Sequence, residues 1–360
     1  MKISSLQFRA LSVAILCAIA PVSPAQTTAT TTPVGFVTRT IPAAVNSTTP
    51  SNTTVSIPLY AAADYVSTVA SIDSVSQFTL TGAAWIAAQF AASTAPRLVR
   101  VKTSTVVPAN VGKFLLITAN TTNQLTVALP SGVANINTVL SIGDTCEILP
   151  ATTLGTVFGT ASSLPTLTAG ATANSADNVL IWSGTGWDTY YWTGIAGTPN
   201  NIWKKTGNID RSNTVIYPDE AVFVIRRDTS AAATVTLMGV VPSTYEQSDI
   251  EPGSTFLSNR FPVDMTLGTV INPTLPALNL QNIPGWVAGA TANSADKVFI
   301  RGAGGWDTYY WTGTVGTPNN IWKRTGTTDR SDTLISAGTG VFISHAGSKL
   351  TLTQVIPYTP

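Results

Sequence analysis

Charge is scarce in this chain: Asp, Glu, Lys and Arg make up 10% of its 360 residues, with 19 basic side chains against 18 acidic ones. Without a basic excess there is no long-range attraction for nucleic acid or anionic lipid, so no nucleic-acid partner is expected. Histidine occurs once, at His345, and cysteine twice, at Cys17 and Cys146. Zinc sites need clustered His and Cys, and this chain cannot supply them. It also lacks a DxDxDG calcium loop, a Gly-rich phosphate loop opening a helix, and a GxSxG serine elbow. No cofactor, metal site or catalytic residue is expected, and the protein reads as a non-enzyme. One opening stays: Asp188, Asp210, Asp219 and Glu220 lie in one stretch. Paired carboxylates there would suit a polysaccharide-acting enzyme, the least favoured reading.

Long apolar runs are also missing. The longest, Ala10 to Ala20, follows Lys2 and Arg9 and precedes Pro21, Ser23 and Ala25. That order reads as a secretory signal peptide over residues 1–25, cut after Ala25, and places the protein outside the cell or at its surface. No later run reaches the roughly 18 apolar residues of a membrane helix, so no transmembrane segment is expected. Cleavage leaves Cys146 alone, so the exported chain must be stable without an internal disulfide, and a buried thiol is expected. Residues 26–35, beginning "QTTATTT", read as a flexible leader.

What the chain has in plenty is Thr, Gly, aromatic rings and repetition. "GWDTYYWTG" occurs at 186–194 and again at 305–313. Around it, "ATANSADNVLIWSGTGWDTYYWTGIAGTPNNIWKKTGNIDRSNT" (171–214) aligns with "ATANSADKVFIRGAGGWDTYYWTGTVGTPNNIWKRTGTTDRSDT" (290–333). Roughly three quarters of those positions match, a true internal repeat. Downstream, "AVFVIRR" answers "GVFISHA", which puts Arg226 where the second copy has His345. Upstream, "TLGTV" at 153 and 266 also recurs, but the first copy's "VSIPLY" at 55–60 lies about ninety residues from its continuation. An inserted domain explains the gap, lodged between the first and second strands of the first unit.

The expected architecture is therefore all-β, with two duplicated antiparallel, sandwich-like units, the first interrupted by a small β-barrel. Unit one covers 36–60 plus 153–243, the guest barrel 61–152, and unit two 244–360. Within the guest, "FLLITANTTNQLTVAL" reads as a hairpin around Ala-Asn-Thr-Thr-Asn, and short Val/Ile/Thr-rich strands favour closure over open edges. Only "AAWIAAQFAAS" (83–93) looks helical.

Strand alternation puts Trp187, Thr189, Tyr191 and Thr193 on one face and Asp188, Tyr190 and Trp192 on the other. "GIAGTPNN" then turns the chain into a second strand carrying Trp203. The other copy repeats this with Trp306, Asp307, Tyr309, Tyr310, Trp311 and Trp322. One reading makes these rings the core of each unit. The other leaves Trp187, Tyr190, Trp192, Trp203, Trp306, Tyr309, Trp311 and Trp322 as sugar-stacking platforms, with Asp188 and Asp307 accepting from hydroxyls. "DRS" at Asp210 and Asp329 reads as a local turn.

Taken together, "VGFVTRTIPA", "VSIPL", "LITANTTNQLTV", "IGDTCEILP", "TLGTVF", "FPVDMTLGTV" and "GVFIS" make the chain similar to a family of secreted, uncharacterised β-rich proteins found mainly in Verrucomicrobia and related bacteria. The resemblance implies export and an all-β architecture, and brings no activity, cofactor or catalytic residue with it. The leading expectation is a noncatalytic secreted or cell-surface protein, structural or adhesive, self-associating through β edges. An extracellular glycan bound by the aromatic hairpins is the alternative.

Overall fold

The computed structural model describes residues 32–90, 95–269, 275–302, 304–326 and 328–358. The signal-peptide expectation and most of the expected leader lie outside these residues. The strand composed of "VGFVTRTI" begins at Val34, inside the stretch expected to be leader.

The described chain is nearly all-β. Unit one opens with β1 (Val34–Ile41) and β2 (Ser51–Ser56). The barrel follows: β3 (Tyr65–Ile72), β4 (Gln77–Leu80), β5 (Arg97–Thr103), β6 (Phe114–Asn120), β7 (Gln124–Val127) and β8 (Thr145–Pro150). Unit one resumes with the short helix α1 (Leu154–Phe158), then β9 (Asn178–Trp182), β10 (Trp187–Trp192), β11 (Trp203–Lys204), β12 (Ala221–Arg226) and β13 (Ala233–Val240). Unit two contains β14 (Glu246–Ile250), β15 (Gly253–Ser258), β16 (Met265–Thr266), β17 (Lys297–Gly302), β18 (Gly305–Trp311), β19 (Trp322–Lys323), β20 (Leu334–Ile335), β21 (Gly340–His345) and β22 (Leu350–Gln354).

Each unit is a five-stranded sheet backed by a two-stranded ribbon. The sheets run β11-β10-β9-β12-β2 and β15-β21-β17-β18-β19, and the ribbons are β1–β13 and β14–β22. In unit one, Ile41, Val235 and Leu237 from the ribbon meet Val55, Val179, Tyr190, Trp192 and Val222 from the sheet in one buried cluster. Ile250, Leu350 and Leu352 do the same against Val298, Ile300 and Tyr309 in unit two. Strand alternation produces both faces: one row enters this core and the other row points to the opposite sheet.

The barrel closes in the order β3-β4-β7-β6-β5-β8, with β6 and β7 forming the expected hairpin. Closure removes the free edges that six short strands would otherwise expose. Two strands precede it rather than one, because residues 34–41 alternate and pair along their whole length with β13. From Ser56 the chain enters the barrel and returns at Thr153, whereas from the matching Ser258 it reaches Thr266 directly.

Residues 83–90 do not form the expected helix. Their amides are captured by the neighbouring hairpin instead: Trp85 N donates to Thr122 O (2.7 Å), Ala88 N to Asn120 O (3.0 Å) and Phe90 N to the Asn120 side chain (2.9 Å). Conversely, "TLGTVF" forms α1, which sequence reading missed. A reciprocal cap fixes it, with Thr156 N donating to Thr153 Oγ1 (3.2 Å) and Thr153 N to Thr156 Oγ1 (2.7 Å).

Candidate functional site

The duplicated aromatic phrase divides its rings between two jobs. Tyr190, Trp192 and Trp203 are buried in unit one, and Tyr309 and Trp322 in unit two, with Trp311 half-buried beside them. Trp203 donates its indole N–H to Gly159 O (2.8 Å), and Trp322 donates to Gln281 Oε1 (3.1 Å). The buried rings offer no face to a ligand, so of the expected platform only Trp187, Trp306 and the half-buried Trp311 keep surface.

Trp187 and Trp306 keep 36% and 37% of their surface. They stand where the outer faces of the two sheets meet. Trp187 stacks on Phe342 of unit two (5.9 Å between centroids), and Trp306 stacks on Phe223 of unit one (5.6 Å). Trp182, Phe256 and Phe299 complete this seam. Backbone bonds repeat the exchange: Ser56 N donates to Gly338 O (2.8 Å) and Ser258 N to Asp219 O (3.0 Å). The approach is so close that a Cβ on Gly340 would lie 2.1 Å from that of Ala221, and only glycine fits. Such ring pairs contribute about 0.5–1.5 kcal/mol each beyond the area they bury.

The acidic members of the phrase are paired. Asp188 Oδ1 meets Lys205 Nζ (2.6 Å) and Asp307 Oδ1 meets Arg324 Nη2 (2.5 Å), each on the adjoining segment. Asp210 and Asp329 act as local turn anchors, accepting from the backbone N–H and hydroxyl of Ser212 and Ser331. Cys146 is a free, buried thiol; burial pushes its pKa up, which keeps it unreactive.

The chemistry that sequence reading could not place lies where the barrel and both units converge. A cleft of about 380 Å³ is lined by Lys113, Phe114, Leu116 and Leu129 of the barrel, Trp182, Tyr217, Asp219 and Glu220 of unit one, and Asp249, Glu251 and Phe256 of unit two. Burial, then the neighbouring Asp219, pushes Glu220 up to about 8; burial likewise raises Asp219. Asp249 behaves oppositely. Burial works against its charge, yet Lys113 (3.0 Å) and Lys349 (2.9 Å) hold it below the usual carboxylate range. The cleft therefore combines an acid that stays protonated at neutral pH with a carboxylate that stays charged. Asp219 and Glu220 were legible as neighbours in sequence; what brings Lys113, Trp182 and Asp249 to them is tertiary.

Behind the cleft a buried ion network ties barrel to unit two. Arg100 of β5 contacts Glu147 (2.9 Å) and Glu246 (2.6 Å), and Arg260 also pairs with Glu246 and donates to Gly112 O (3.3 Å). Arg100 lies over the Tyr60 ring (5.1 Å) and Arg260 over Phe114 (5.4 Å). Among the described residues no cluster of His, Cys, Asp and Glu could hold a metal ion, and no helix is long and apolar enough to cross a membrane. No protein-family model, curated protein or solved structure matches the chain.

Proposed function

We propose that the protein is a noncatalytic structural or adhesive component acting outside the cell, whose contact face is the outer side of the β1–β13 ribbon. One observation carries this reading. Phe36 and Met238 lie opposite each other in register and are 72% and 79% exposed, with Val34 beside them. We read these large apolar side chains, grouped on one strand pair, as the interaction surface. The aromatic repeat supports the same reading, since its rings join the units into one body. Export, which the segment from Lys2 to Ala25 suggests, would put this face in contact with other envelope molecules or with further copies of the chain.

Sedimentation of the purified chain over a wide concentration range, beside binding to envelope material, tests the proposal. Association or retention is expected, and Phe36→Ser with Met238→Ser should abolish it. Dispersed monomers that bind nothing would refute the contact face, and turnover of any polymer would refute the noncatalytic reading.

A second reading rests on the residual exposure of Trp187 and Trp306. A glycan could stack there, and loss of glycan-array signal on Trp187→Ala and Trp306→Ala in folded protein would favour it.

A further inference from the structure

The turn that bears Asp219 and Glu220 exists twice. In unit two the corresponding residues are Gly338 and Thr339, and the backbone task is the same: Gly338 O accepts from Ser56 N as Asp219 O accepts from Ser258 N. Gly338 takes a left-handed φ (73°) that Asp219 does not, yet both carbonyls accept the same kind of bond, so that bond does not require the carboxyl side chains of unit one. They occur only in the copy whose turn borders the cleft.

Other charges around the cleft have partners. Lys113 and Lys349 engage Asp249, Lys349 also engages Glu251, and Arg260 engages Glu246. Asp219 and Glu220 form no ion pair among the described residues. Glu220 accepts only from the backbone at Tyr217, and Asp219 only from its own backbone. The opposing walls are apolar: Phe114, Leu116, Leu129, Trp182 and Phe256. Two carboxyls without an ion-pair partner, held at one side of an apolar cleft, gain most from a ligand that brings its own positive charge. The apolar walls suit an organic cation better than a metal ion, which needs several further oxygen ligands.

We propose that this cleft binds a primary ammonium group carried on an apolar stem, with the ammonium against Glu220 and Asp219 and the stem along Trp182, Phe256 and Leu129. The volume, about 380 Å³, lies in the range of small-ligand sites. Such a group is presented by a free alkylamine or by the lysine side chain of a peptide.

The electrostatics give this site a signature. Around the two acids stand Tyr217 on their own segment, Lys113 from the barrel, and Asp249, Glu251 and Arg260 from unit two; Arg260 and Lys113 favour the charged form of Asp219 and Asp249 opposes it, whereas Glu220 feels chiefly Asp219. Glu220, at about 8 in the empty cleft, is mostly protonated at pH 7. An ammonium favours its carboxylate, so binding must expel a proton, and affinity must rise with pH until about 8 and then level off.

Calorimetric titration of the full chain with n-pentylamine at pH 7, in two buffers of different ionisation enthalpy, tests this. Binding with release of close to one proton is expected, strengthening about tenfold from pH 6 to 7. n-Pentanol should not bind, Glu220→Gln should weaken pentylamine at least about tenfold and eliminate the proton release, and Asp219→Asn should weaken it less. Tighter binding of Nα-acetyl-lysine amide than of pentylamine assigns the group to a peptide, and the reverse assigns it to a free amine. No heat with either amine, equal binding of pentanol, or proton release unchanged in Glu220→Gln would overturn the proposal; Asp219→Asn binding as well as wild type would overturn it if Glu220→Gln does not fold.

Discussion

The two ribbons are built alike and treated differently. On β1, exposed residues alternate with buried ones, leaving Val34 and Phe36 bare; on β14 nearly every residue is buried. The barrel makes the difference, since Gly112 lies against Glu246 and Gln247, Lys113 pairs with Asp249, and Tyr245 donates to Pro108 O (3.2 Å). A matching contrast runs through the interiors. Asp177 accepts from Thr168 N, Arg227 N and Arg226; Asp296 accepts from Val287 N and Ala346 N, and its other partner is His345. Duplication has kept the carboxylate and its two amides while exchanging the cation. His345 Nε2 lies 2.7 Å from Ser348 O, so both ring nitrogens are engaged. These pairs teach that the repeat keeps its hydrogen bonds to backbone amides, while the partnered side chain is free to diverge.

The largest break in the comparison should come from the covered ribbon. Glu246→Ala leaves Arg100 and Arg260 without their shared carboxylate and should cost about 3–5 kcal/mol in urea unfolding. Phe36→Ser on the bare ribbon should stay within about 0.5 kcal/mol, and a large loss there would mean the ribbon is not bare. Asp177→Asn should destabilise by about 3 kcal/mol, more than Asp296→Asn, because it strands the permanently charged, buried guanidinium of Arg226. Equal midpoints for the two variants would remove that distinction. In the seam, Phe342 meets Trp182, Trp187, Phe256, Phe299 and Trp306, whereas Phe223 meets Trp187 and Trp306. Phe342→Ala should therefore lose about 1 kcal/mol more than Phe223→Ala, measured as the shift in denaturation midpoint.

The smallest effect concerns pH. Glu220 has a folded pKa above its unfolded one, so between about 4.5 and 8 the unfolded chain holds fewer protons, and stability falls as pH rises. The melting temperature of the native protein should drop across that window, and Glu220→Gln should flatten the slope. An unchanged slope would show that Glu220 is not the group responsible. Below about pH 4 the opposite trend sets in, as Asp249, held low by Lys113 and Lys349, takes up its proton.

Much of this was written locally. The repeat is visible as identity, the two-residue period sorted Trp187 from Tyr190 and Trp192 onto opposite faces, and the guest barrel showed itself as a gap between "VSIPLY" and "TLGTV". Alternation alone could not say that one face would meet a second sheet, so the platform and core readings stayed open. Residues 83–90 carry helical composition but lose their amides to Asn120 and Thr122, partners some thirty residues away. The cleft was illegible for the same reason: Lys113, Glu220 and Asp249 share no segment, and only the insertion brings them together.

Covering one ribbon also leaves the molecule lopsided. The bare β1–β13 ribbon is present once per chain, and its counterpart β14–β22 is occupied by the barrel. If the proposed contact face joins copies of the chain, each copy brings one such face, and pairing through it would end at two.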